Sequence, residues 1–165
     1  MAVIDLNGIK NQLRTIFNTA NTTTASTDLS SGLESRVQQV LTVNPSRIPI
    51  QSTWYPYVTV YLDAKDIEEQ TINKNQVNGK RRAELDIKIV GAVWNSTVSD
   101  ETKDDASDDA ESLMENIEEI LRSNTDIGAL VNWSFPTGVT YHNLKLEGRS
   151  SIRAGIMNYR AIKVY

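Results

Sequence analysis

The chain has 165 residues, 39% of them apolar and 23% charged, with a formal net charge of −4. That length suits a single domain whose folding buries about two-thirds of the unfolded surface, and the balance of apolar and charged residues argues against wholesale disorder. The absence of cysteine excludes disulfides, thiolate nucleophiles and Cys-ligated zinc, and the negative charge argues against the protein as a whole clinging to a nucleic-acid backbone.

Met1-Ala2-Val3-Ile4-Asp5 lacks a basic start followed by an apolar run, so no signal peptide is expected. No stretch approaches the roughly 18 apolar residues of a membrane span, and a soluble domain made inside the cell is expected. Leu6, Ile9, Leu13, Ile16 and Phe17 recur three and four apart and predict an amphipathic helix over residues 4–18. Asn18–Ser30 is rich in Thr, Asn, Ser and Ala and reads as an exposed connection. Ser31-Gly32-Leu33-Glu34 has capping-box spacing, and Leu33, Val37, Val40 and Leu41 suggest a short second helix. The β-branched content of Val37–Val43 supports a strand over Ser35–Thr42 almost as well. Asn44-Pro45 ends the element either way, and Pro49 keeps the following residues extended.

Trp54–Leu62 is aromatic and β-branched and predicts a strand, with Pro56 near its start because proline cannot donate to a ladder. From Ala83 to Ile89 every odd-numbered residue is apolar and every even-numbered one charged, so the strand over Arg82–Trp94 should have one oily and one wet face. Between these strands, Asp63–Arg81 is too long for a tight turn. A protruding β-arm with a polar tip accounts for its length and for Ile67, Ile72 and Val77. Asp104–Arg122 predicts a helix of about 18 residues, roughly 27 Å long, with an apolar stripe of Leu113, Met114, Ile117, Ile120 and Leu121. Acids gather in its first turns and Arg122 closes it, both of which suit the helix dipole. After a connection at Asp126–Leu130, strands are predicted at Val131–Phe135, Val139–Leu146 and Ile152–Tyr165. Pro136-Thr137-Gly138 and Glu147-Gly148-Arg149 are the predicted turns. The expected fold is α+β: residues 1–165 form one domain, a mainly antiparallel sheet of about four to five strands. A long amphipathic helix lies on its dry face, an N-terminal helix is added, and residues 63–81 project.

Chemistry-bearing motifs are sparse. His142, the only histidine, has no neighbour at metal-ligand or triad spacing, and the serines fall in turns and linkers rather than in a nucleophile elbow. The carboxylates of Asp100–Glu111 lack the alternation and glycine of a calcium loop, and acids at a helix start need no ion to explain them. Lys80-Arg81-Arg82 is the one basic cluster. Without an aromatic platform it reads better as a partner for Glu68 and Glu69 across the arm, or for a neighbouring subunit, than as a phosphate contact. Trp54, Trp94 and Trp133 fall at strand ends, suited to core or sheet-edge packing or to subunit contact. No glycine-rich phosphate loop occurs. No catalytic, cofactor-binding or metal-ligating residue is expected, and neither is an enzyme.

From Trp54 onward the chain resembles the tail-terminator (tail-completion) proteins of long-tailed bacteriophages. The resemblance is carried by Tyr55-Pro56-Tyr57-Val58-Thr59-Val60-Tyr61, Lys80-Arg81-Arg82-Ala83-Glu84-Leu85-Asp86-Ile87, the helical Asp109–Glu118 and Arg153-Ala154-Gly155-Ile156. It covers about two-thirds of the chain and lies in element order and texture, which other small head–tail joining proteins share. It implies a structural virion protein at the head-proximal end of the tail, assembled in the host cytoplasm. Such a protein forms a ring, usually of six copies, that ends tube growth and presents a surface to the head connector. Its partners would be itself, the tail-tube protein and the connector, with DNA passing through the channel without specific binding. No membrane and no cofactor is implied. The subunit or tube contact is expected at Ile67, Glu68, Glu69, Ile72, Lys80, Arg81, Arg82 and Trp54. The alternative is a non-enzymatic adaptor or another neck protein acting as a binding module.

Overall fold

A computed structural model describes residues 4–47, 50–70, 80–95, 105–145 and 151–164. In chain order these form α1 (Leu6–Ala20), β1 (Gln39–Leu41), β2 (Tyr57–Gln70), β3 (Lys80–Asn95), α2 (Asp105–Arg122), β4 (Trp133–Lys145) and β5 (Ser151–Val164). The strands make one five-stranded sheet in the order β1-β2-β3-β5-β4. The class is α+β, as expected, but the sheet is mixed: β1 joins β2 in parallel, while the other three ladders are antiparallel. The short second helix is not formed. Residues 31–38 are turn and extended chain, and the β-branched reading prevails only over the three residues of β1.

A parallel neighbour requires the chain to return to the same end of the sheet. The return from β1 to β2 touches the face opposite the helices near both its ends. Thr59 donates to the Val43 carbonyl at 2.5 Å, and Tyr55 packs on Tyr57 and Trp94, with ring centroids 5.0 and 6.3 Å away. Tyr57, Thr59, Val90 and Ala92 are therefore buried on the face expected to be wet. Only the other half of that face carries the charged positions Arg82, Glu84, Asp86 and Lys88.

The dry face follows the sequence pattern closely. Ala83, Leu85, Ile87 and Ile89 are buried on β3, and Leu113, Met114, Ile117, Ile120 and Leu121 of α2 cover them and β5. α1 begins at an Asp5 cap whose carboxylate accepts from the Gly8 N–H at 2.8 Å, and it lays Ile9, Leu13 and Phe17 against β2 and β1. The Asn18–Ser30 connection is more ordered than its composition suggests. Leu29 is buried, the Ser30 hydroxyl donates to Asn21 at 2.6 Å and accepts from the Val37 N–H at 2.9 Å, and Asn116 of α2 donates to the Leu29 and Ser31 carbonyls.

Pro136-Thr137-Gly138 is not a turn. β4 runs through it, with a register shift between Pro136 and Gly138. An edge strand tolerates a proline and a bulge because the missing N–H deprives no ladder on the open side. The Glu147-Gly148-Arg149 turn lies outside the described residues.

Candidate functional site

The residues expected to make contacts divide between two ends of the sheet. On β2, Ile67, Glu68 and Glu69 stand opposite Ala83, Arg82 and Arg81 of β3, and the ladder continues to Gln70 opposite Lys80. The register thus brings the acidic pair beside the basic cluster. From Glu68 onward these positions lie level with or beyond the last β3–β5 pair, Arg82 with Val164, and Ile67 lies one step inside it. Ile72, with the rest of residues 71–79, lies outside the described residues. Trp54 does not belong to this corner. It closes a one-turn helix, Ser52–Trp54, at the opposite end of β2, where the chain enters the strand.

Arg82 turns along its own strand, donating through Nη2 to Glu84 Oε1 at 2.6 Å. A lattice of compensated charge continues from there across the helix-free face. Arg160 lies 3.8 Å from Glu84 and 3.4 Å from Asp86, and Lys88 lies 3.6 Å from Asp63 and donates to Asn158. A cleft of about 220 Å³ opens here between Thr137, Asp63 and Arg160. With a carboxylate within 4 Å of each cation, it offers hydrogen bonds and balanced charge rather than an unpaired charge to attract an ion.

A larger open groove of about 520 Å³ runs between the C-terminal half of α1, the 22–27 loop and the end of α2. Hydroxyls of Thr15, Thr19 and Thr24 rim it, and Ile16, Ala20 and Ile120 lie among its lining residues. Among the described residues no three His, Asp or Glu side chains gather where a metal could bind. His142 is exposed on β4 opposite Ala154. Asp109, one of the helix-starting acids, accepts from the Glu34 backbone N–H at 3.1 Å and so ties α2 to the 31–38 segment.

Of the two most buried tyrosines, Tyr159 backs the smaller cleft and Tyr57 lines neither hollow. Tyr159, in the core, bonds the Ser134 hydroxyl, which also donates to the Thr125 carbonyl at 2.7 Å, and burial pushes its phenol up to about 12. Burial and the neighbouring Tyr55 raise Tyr57 to about 12 as well.

One surface was only half read in the sequence, which offered Trp133 for core, sheet-edge or subunit contact and gave Phe135 no role. Trp133 and Phe135 of β4 are 46% and 39% exposed and point to the same, helix-free side of the sheet edge. Their i, i+2 spacing on a strand was the readable signal, hidden because a turn was expected immediately after them. No protein-family model matches the chain, and no curated protein matches its sequence. Among the described residues, no helix is long and apolar enough to cross a membrane.

Proposed function

We propose that this chain is a structural subunit that closes into a ring capping a phage tail tube, ending tube polymerisation and offering a joining surface to the head connector. The observation that carries this reading is spatial. The four segments that resemble tail terminators are spread over about 100 residues of sequence, yet β2, β3 and β5, which hold three of them, are consecutive strands. α2, which holds the fourth, lies on β3 and β5. The likeness therefore belongs to one packed layer rather than to scattered short matches.

A ring closes when one head-to-tail contact repeats with the right rotation, and such a contact needs a rigid core and adhesive margins rather than a reactive side chain. On this reading the Asp63–Arg81 arm touches an adjacent subunit or the tube, and DNA slides through a channel that a net-negative protein does not grip. Ring number is expected to be six, the position the head-proximal tail end, and the place of assembly the host cytoplasm.

Negative-stain microscopy of the purified chain, alone and with tail-tube protein, tests this: closed rings are expected. Deleting residues 73–78 is expected to spare the fold and impair assembly. Unchanged ring formation and unchanged tail length after that deletion would remove the arm's role. The second reading is a non-enzymatic adaptor, favoured by the groove between α1 and α2. A monomer at high concentration with no affinity for tube rings decides for it.

A further inference from the structure

The sheet has two open margins of different character. β1 pairs with β2 only from Tyr57 to Thr59, so among the described residues β2 has no ladder partner on that side from Val60 to Gln70. Asp63, Ala64, Lys65 and Asp66 are all exposed there. At the other margin, β4 pairs with β5 on one side and with nothing described on the other over its 13 residues. An unpaired strand presents a row of N–H and C=O groups to any chain that can meet them, and soluble proteins usually guard such rows with charge. β2 follows that habit with Asp63, Lys65, Asp66, Glu68 and Glu69. β4 has no acidic or basic residue, His142 aside, before Lys145.

Strand direction matters next. β3 runs antiparallel to β2, β5 to β3 and β4 to β5, so β2 and β4 of one subunit run in opposite directions. A second copy set beside the first in the same orientation therefore meets it strand to strand in the antiparallel sense. Height matches too. The ladders place Phe135 level with Arg160, Asp86 and Ala64, and Trp133 level with Ile162, Glu84 and Asp66. The exposed aromatic half of β4 thus stands at the height of the uncovered part of β2.

We propose that β4 of one copy pairs antiparallel with residues 60–70 of β2 in the next copy, so that one sheet runs on from subunit to subunit. This names the contact surface of the ring and rests on the ring reading above. Self-pairing is disfavoured at both margins. Two β2 edges would set one net-negative strand against another and, crossed about their middle, Lys65 against Lys65. Two β4 edges crossed about their middle would put Trp133 against Lys145, leaving the aromatic pair without an apolar partner. Joining two different margins is heterologous, the kind of contact that closes into rings.

The test exploits the lack of native cysteine. Ala64→Cys is combined with each of Phe135→Cys, Thr137→Cys and Thr140→Cys, the assembled protein is oxidised, and products are separated without reductant. The Phe135→Cys or the Thr140→Cys pairing is expected to give a ladder of intersubunit cross-links that neither single-cysteine variant gives, since a disulfide needs Cα atoms within about 7 Å. Thr140→Lys, which puts a charge on the open edge, is expected to leave circular dichroism unchanged and abolish rings. Rings that form but give no ladder with any pairing, or that cross-link through Thr137→Cys alone, overturn the edge contact and leave the ring reading standing. A chain that never assembles, even with tube protein, overturns both.

Discussion

Gly155 of β5 lies directly beneath Met114 of α2, so close that a Cβ on the glycine would stand 2.8 Å from the methionine Sδ. Gly91 faces Gly155 across the β3–β5 ladder, and its own Cβ would come within 2.9 Å of the same sulfur. The paired glycines form a notch that lets the long helix approach the two central strands. Gly155→Ala is expected to destabilise the fold by about 1–3 kcal/mol, as overpacking of a filled core does. A lower urea midpoint with unchanged slope would register it. Combining it with Met114→Ala should give a loss smaller than the sum of the two, because the shortened side chain vacates the notch.

That notch also marks what the sequence could and could not convey. The stripe Leu113, Met114, Ile117, Ile120 and Leu121 and the alternation from Ala83 to Ile89 identified both packed surfaces, because burial imposes a period on each. Nothing local says that Gly91 and Gly155 stand opposite each other, since register is a long-range property. β1 was ambiguous for a similar reason: three residues held by one parallel neighbour leave too short a pattern to separate strand from helix. The break expected at Pro136 followed from proline's usual role in turns, which an edge position relaxes. That Glu68 and Glu69 would stand across the ladder from Arg82 and Arg81 was legible from complementary charge on the two sides of the arm. Trp54, expected as the first residue of its strand, instead closes the one-turn helix just before β2, because aromatic character does not separate a strand's first residues from the turn that leads into it.

Backbone conformation offers a second test. Ile127, Gly128 and Ala129 all have positive φ, at 48°, 65° and 66°. Ile127 is held there by burial, but Ala129 is exposed and gains no packing in return. Ala129→Gly should stabilise the protein by up to about 1 kcal/mol by relieving left-handed strain. Gly128→Ala should do the opposite, since a Cβ there would also stand 2.8 Å from Gln12 Nε2. Paired thermal melts would check the two signs.

The polar stitching of the 18–38 connection is expected to matter more than its composition suggests. Ser30 is 7% exposed and serves both Asn21 and the Val37 N–H. Ser30→Ala leaves that N–H without its partner and should cost about 1–3 kcal/mol. Hydrogen exchange at Val37 should rise with it.

Alkaline pH should unfold the protein by a defined route. Tyr159 ionises near 12 when folded and near 10 when unfolded, so above pH 10 the unfolded state holds fewer protons. Its contribution is intact below pH 10 and declines by up to about 1.4 kcal/mol per pH unit between 10 and 12. Tyr57 shifts in the same direction. Tyr159→Phe removes that titration and should flatten the decline, after allowance for the lost bond to Ser134. Denaturant midpoints from pH 8 to 11 would measure it.

Trp133→Ser with Phe135→Ser is expected to leave the melting temperature of the isolated chain within a few degrees, because both side chains are substantially exposed. Assembly should weaken at least tenfold in midpoint concentration, since buried aromatic anchors dominate interface energies. Sedimentation across a concentration series would separate the two effects.

The mass of the particle that the purified chain forms, alone and with tail-tube rings, bears most directly on the idea of a self-joining building block. A mass near six chains, reached at least on the tube, is the expected result. A single-chain mass at every concentration, with no binding to tube, would contradict it.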